Sequence, residues 1–131
     1  MARLKDWRQR LTTYMAAQAR IRPKDCALWA AGAVEALTGD DPAADYRGKY
    51  DEIEDGLKLL RESGFESHVD LIAASLVEID AIEAQPGDIA VIDSPAPEAL
   101  GIVQGPGGIY VLSPFGVGLV PLSSAKRFFG V

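Results

Sequence analysis

The sequence predicts an α+β domain, and three observations carry that prediction. Through residues 4–76, apolar side chains recur mainly at helical spacing. After Ala84 they fall into short runs separated by Gly- and Pro-rich turns, which is the pattern of strands. Turns this short join antiparallel neighbours, and helices that precede strands as a block make an α+β rather than an alternating α/β arrangement. The expectation is N-terminal helices packed on a small antiparallel sheet of about four strands. No repeat, linker or low-complexity stretch marks a boundary, so residues 1–131 read as a single domain.

Leu4, Trp7, Leu11, Tyr14 and Met15 share one face, with Arg8 and Arg10 on the other, which predicts an amphipathic first helix. Ile21-Arg22-Pro23 breaks it, because the residue before proline avoids the helical region. Asp25 is a predicted N-cap for a second helix from Cys26 to Leu37, stopped by Thr38-Gly39. Its alanines, with Gly32, allow close approach of a neighbouring layer, so this helix is expected to be buried. Asp41-Pro42 predicts a short helix to Tyr46, and Asp51 to Ser63 a longer one stopped by Gly64. Ser67 and Asp70 have capping-box spacing for a helix through about Leu76, with His68 in its first turn. Strands are expected at Ile89 to Ile92, Leu100 to Val103, Ile109 to Leu112 and Val117 to Leu122. Asp88 is read as a turn residue. Ser123 or Ser124 is expected to cap a last helical turn through Phe129.

Composition narrows the function classes. One cysteine excludes an internal disulfide, so nothing requires an oxidising compartment. No apolar h-region opens the sequence, which predicts no signal peptide, and no apolar run suits a membrane span. The net charge of −6 is uneven: residues 1–24 carry seven basic side chains against one acid, and the remainder is strongly acidic. The basic segment reads as a solvated helix face or an arm for an acidic partner. Nucleic acid is excluded as a partner because most of the chain would repel phosphate. The sequence supplies no metal-ligand spacing, no phosphate-cradling loop and no cofactor motif.

Chemistry concentrates at Asp25-Cys26-Ala27-Leu28-Trp29. A thiol at a helix N-terminus has the setting of a cysteine nucleophile, because exposed N–H groups and the macrodipole favour the thiolate. The competing reading of Cys26 is a small buried core residue. Asp25 reads as a cap, Tyr46 and Tyr50 as candidate walls of a cleft beside the thiol, and Asp25, Trp29 and Tyr46 as candidate substrate-binding residues. His68, the single histidine, has no sequence relation to Cys26.

A cysteine opening an alanine-rich helix, then Gly87-Asp88-Ile89-Ala90-Val91, then Leu100-Gly101-Ile102-Val103-Gln104-Gly105, resembles the NlpC-type cell-wall peptidases, which are small papain-like enzymes. The resemblance covers residues 20–122. The stretch from Asp25 through Leu37-Thr38-Gly39, with Tyr46-Arg47-Gly48-Lys49-Tyr50, is similar to an uncharacterised branch of that group found in phage and prophage tail gene clusters. In the peptidases the strand corresponding to Leu100 begins with a histidine that is the general base. The position holds Ala99 here, and the orienting residue would fall near Tyr110 or Val111.

The resemblance therefore implies a papain-like fold and only the nucleophile of the machinery. A macrodipole alone is worth about 0.3–1 kcal/mol at an exposed site, under one unit against a thiol pKa of about 8.5. Losing acid–base assistance costs about 100- to 10,000-fold in rate. The expected function is a tail-tip assembly component with a degenerate active site, made in the host cytoplasm and incorporated in the virion tail. Its expected partners are tail-tip or hub proteins. The basic first helix and the apolar stretch Phe128-Phe129-Gly130-Val131 are expected docking surfaces. Two alternatives stand beside it: an active cysteine peptidase or amidase that cleaves peptidoglycan during infection through Cys26, and a regulatory binding module in the host cell.

Overall fold

The computed structural model describes residues 2–18 and 25–131. Four α-helices come first: α1 (Trp7–Gln18), α2 (Cys26–Thr38), α3 (Ile53–Glu62) and α4 (His68–Ser75). Six strands follow: β1 (Val77–Ile79), β2 (Ile89–Ile92), β3 (Leu100–Gly105), β4 (Gly108–Ser113), β5 (Gly116–Val120) and β6 (Ala125–Gly130). All strand pairs are antiparallel, in the order β1-β6-β2-β3-β4-β5. The α+β class holds, with six strands in place of about four.

Helix α2 forms where its local signals place it. The Asp25 carboxylate accepts the Leu28 N–H at 2.7 Å, and Gly39 closes the helix at φ 87°, its N–H donating to the Glu35 carbonyl. Ala30, Ala33, Val34 and Leu37 are buried against Ile89, Leu100, Ile102 and Phe129 of the sheet. Helix α1 runs antiparallel along α2. Leu4 N–H meets the Leu37 carbonyl at one end, and Tyr14 Oη–H meets the Trp29 carbonyl at 2.6 Å at the other. Gly32 makes that approach possible, since a Cβ there would lie 2.3 Å from Tyr14 Oη. The predicted break at Ile21-Arg22-Pro23 lies outside the described residues.

Three element predictions are corrected. The stretch after Asp41 is a succession of turns rather than a helix. Asp41 caps the Ala43 N–H as expected, but mostly three-residue bonds follow (Ala44 to Asp41, Tyr46 to Ala43), and the turns give way near Gly48 at φ 72°. The segment after Ser124 is strand β6, not a helical turn; residues Leu122–Ser124 form a 3₁₀ turn that ends the meander and leads into it. Phe128 and Phe129 are therefore core residues on opposite faces of the sheet, and the expected apolar docking surface does not exist there. Finally, Ser67 caps no N–H with its side chain, while Asp70 accepts the Glu66 N–H.

β6 inserts between β1 and β2, pairing Phe129 with both Glu78 and Ile89. This return also explains Asp88. Its carboxylate is buried and accepts from Arg3 at 2.8 Å, from Val131 N–H at 2.9 Å and from Gln85 N–H at 2.8 Å. Arg3 also donates to the carbonyls of Val131 and Pro86. Asp88 is thus an ion-pair centre tying residues 3 and 131 to the turn before β2. Part of the basic segment is consumed inside the molecule: Arg3 in this way, and Arg10 on the Ala36 carbonyl. The guanidinium groups of Arg3 and Arg8 lie 4.2 and 4.3 Å from the Trp7 ring.

Candidate functional site

The start of α2 faces the start of β3. Cys26 is half-buried, and the Leu100 backbone N–H donates to its sulfur at 3.5 Å. Beside it lies a cavity of about 200 Å³ lined by Asp25, Cys26, Tyr50, Ile53, Leu57, Leu60, His68, Glu98 and Ala99, among others. Tyr50 donates its hydroxyl to the second oxygen of Asp25 at 2.6 Å, so the cap carboxylate is engaged on both oxygens. Gly56 keeps the Tyr50 ring in place, for a Cβ there would sit 2.8 Å from it.

The fold brings His68 to this cavity. It opens α4, is buried, and directs Nε2 at the Glu98 carbonyl. A carbonyl only accepts, so Nε2 carries the proton. Glu98, Ala99 and Leu100 are consecutive. The first holds the imidazole through its carbonyl, the third holds the thiol through its N–H, and Ala99 lies between them on the cavity wall. Among the described residues, no hydrogen bond joins the His68 ring to the Cys26 sulfur.

The electrostatics favour the thiol over the thiolate. Burial is the largest influence and pushes the Cys26 pKa up; the Asp25 charge adds to it, and the Leu100 N–H opposes it without reversing the direction. The Tyr50 phenol is likewise raised, first by burial and then by its bond to Asp25.

Of the residues expected at the site, Asp25 and Cys26 line the cavity, and Ala99 lines it too. Trp29 does not face the thiol: it is 1% exposed, belongs to the core, and borders a different cavity with Arg10, Tyr14 and Arg47. It lies three residues past Cys26, where the helix turns toward α1. Tyr46 is buried behind the site, on a void of about 20 Å³ that Tyr50 and His68 also touch. His68 is the residue that sequence reasoning weighs as a substitute base and sets aside as a surface or capping residue of a first helical turn. Its only signal is a single histidine just after Ser67, and the packing of α4 on α2 supplies the rest. Among the described residues no three His, Cys, Asp or Glu side chains converge as a metal-ligand set. No helix of the described residues is long and apolar enough to cross a membrane.

Fold and site define an α+β domain with a half-buried thiol at a capped helix start, a histidine lining the same small cavity and, among the described residues, no hydrogen bond between the two. A family model described as a domain of unknown function (DUF6950) matches residues 2–131, and the chain belongs to that family. Comparisons with curated proteins and with solved structures returned no match.

Proposed function

We propose that this chain is a papain-like domain of the NlpC type that no longer hydrolyses, and that it serves as an assembly component at a phage or prophage tail tip. The observation that carries the non-hydrolytic part is the environment of Cys26: a thiol raised by burial, partnered by a backbone N–H, with Ala99 where the peptidases it resembles carry the base. A nucleophile of that mechanism needs a lowered pKa and a hydrogen bond to an imidazole. Size supports the same reading. Ligand sites commonly enclose about 300–1,000 Å³, and a cavity of about 200 Å³ suits one side chain of a partner better than a cross-linked wall peptide. The tail-tip part rests on the resemblance of the Asp25–Gly39 and Tyr46–Tyr50 stretches to the tail-cluster branch.

The test pairs two assays of the same variant. Purified protein is expected to release no peptides from several cell-wall types, and phage carrying Cys26→Ser are expected to stay infectious. Deleting the gene is expected to stop tail assembly. Wall peptides released by wild type and lost in Cys26→Ser would defeat the proposal.

One observation favours the hydrolase as a second reading: Cys26 and His68 line one cavity. On that reading movement of the His68 ring makes the pair, and His68→Ala must abolish peptide release as completely as Cys26→Ser does.

A further inference from the structure

The sheet has two edges, and they differ. β1 is three residues long, and its Glu78 is paired with Arg127 of β6 at 2.9 Å, so that edge is short and charged. Natural sheets protect their edges in these ways, because a long uncharged edge templates pairing with another strand. β5 has neither protection. No residue between Glu98 and Lys126 is charged. Leu119 on β5 is 53% exposed, and Phe115, beside the strand at the hairpin tip, is 95% exposed. Alternate residues of β5 also turn their N–H and C=O groups away from β4.

Charge permits a second copy at this edge. Two copies of a chain with net charge −6 repel one another at most faces, but along the β5 edge neither copy presents a charge. We propose that β5 pairs antiparallel with β5 of a second copy across a two-fold axis, joining the two six-stranded sheets into one. Centring the axis on Gly118 sets Val117 of each copy opposite Leu119 of the other. Both positions lie on the sheet face of Tyr110 and Leu112, their β4 partners, so the pairing covers the exposed Leu119 side chains. Gly118 then faces its own copy with room to spare, since a Cβ there would meet only Val111, at 3.8 Å. Stable interfaces bury about 1,600 Å², and one strand edge buries less, so the dimer is a weak one that forms from micromolar concentration upward.

The inference does not depend on the thiol site, and its test leaves that site untouched. Sedimentation equilibrium of the full chain from micromolar to millimolar concentration is expected to show a rise from one chain mass to two, and no higher. Leu119→Lys is expected to hold the mass at one chain with an unchanged circular dichroism spectrum. Gly118→Cys in a Cys26→Ser background is expected to give a disulfide-linked dimer on mild oxidation. A wild-type chain still monomeric at millimolar concentration, a dimer that Leu119→Lys leaves intact, or growth beyond two copies overturns the proposal. Failure of Gly118→Cys to cross-link overturns the two-fold register.

Discussion

At the scale of single residues, the decisive fact is that the proton on Cys26 is held more tightly than in a free cysteine. The same direction applies to Tyr14, pushed up to about 12, mainly by burial, and to Tyr50. Groups whose pKa is raised by folding stabilise the native state while they keep their protons. That contribution is whole below the unfolded values, about 8.5 for the thiol and about 10 for the phenols, and is lost as pH climbs through the folded ones. Urea unfolding is therefore expected to show stability falling from about pH 8.5 upward, first through Cys26. Cys26→Ser should remove the earliest part of that decline and leave the phenolic part. Ala99 offers the reverse experiment. Ala99→His sets an imidazole on the cavity wall between the groups that hold His68 and Cys26, and a charged imidazole beside a thiol favours the thiolate. Its alkylation rate at neutral pH is expected to exceed that of wild type several-fold, and an unchanged rate would show that the wall position alone does not reach the sulfur.

At the scale of elements, the α1–α2 contact is a close approach that depends on Gly32. Gly32→Ala is expected to cost about 1–3 kcal/mol, because the new methyl overlaps Tyr14 and must displace it. Tyr14→Phe keeps the packing and loses one hydrogen bond to the Trp29 carbonyl, so about 0.5–1.5 kcal/mol is expected. Thermal unfolding of the two variants ranks them. These elements were legible in sequence because their signals are local: an aspartate that reaches the N–H three residues on, a glycine free to take φ 87°, alanines on a packed face. β1 and β6 were not legible. Val77-Glu78-Ile79 is too short to show a period, and Ala125 to Gly130 becomes a strand only because β1 and β2, 33 or more residues earlier, present edges to it. Asp41 shows the limit of a local signal: it caps one N–H, and no helix follows. For the site, Cys26 and Asp25 were legible through the cap, whereas His68 reaches the cavity by tertiary packing that spacing alone does not encode.

At the scale of the whole molecule, the Arg3–Asp88 pair joins the segment before α1, the turn before β2 and the residue after β6. Both side chains are nearly excluded from solvent, so removing one leaves an uncompensated buried charge. Asp88→Ala is expected to destabilise by about 3–5 kcal/mol in urea unfolding, with little dependence on salt. A loss below about 1 kcal/mol would mean the pair behaves as a surface contact. This clasp holds β2 and β6 in register, and β2 in turn pairs with β3, whose first residue holds Cys26 and whose preceding segment holds His68 through Glu98. The thiol site is thus anchored from the far side of the sheet, and the raised pKa of Cys26 is a property of the native fold. The rate of iodoacetamide alkylation of the folded protein against pH measures that pKa directly. The account predicts a half-maximal rate above the free-thiol value of about 8.5, with no change in His68→Ala. A midpoint below about pH 7 that moves upward in His68→Ala would reveal a working thiolate–imidazole pair and contradict it.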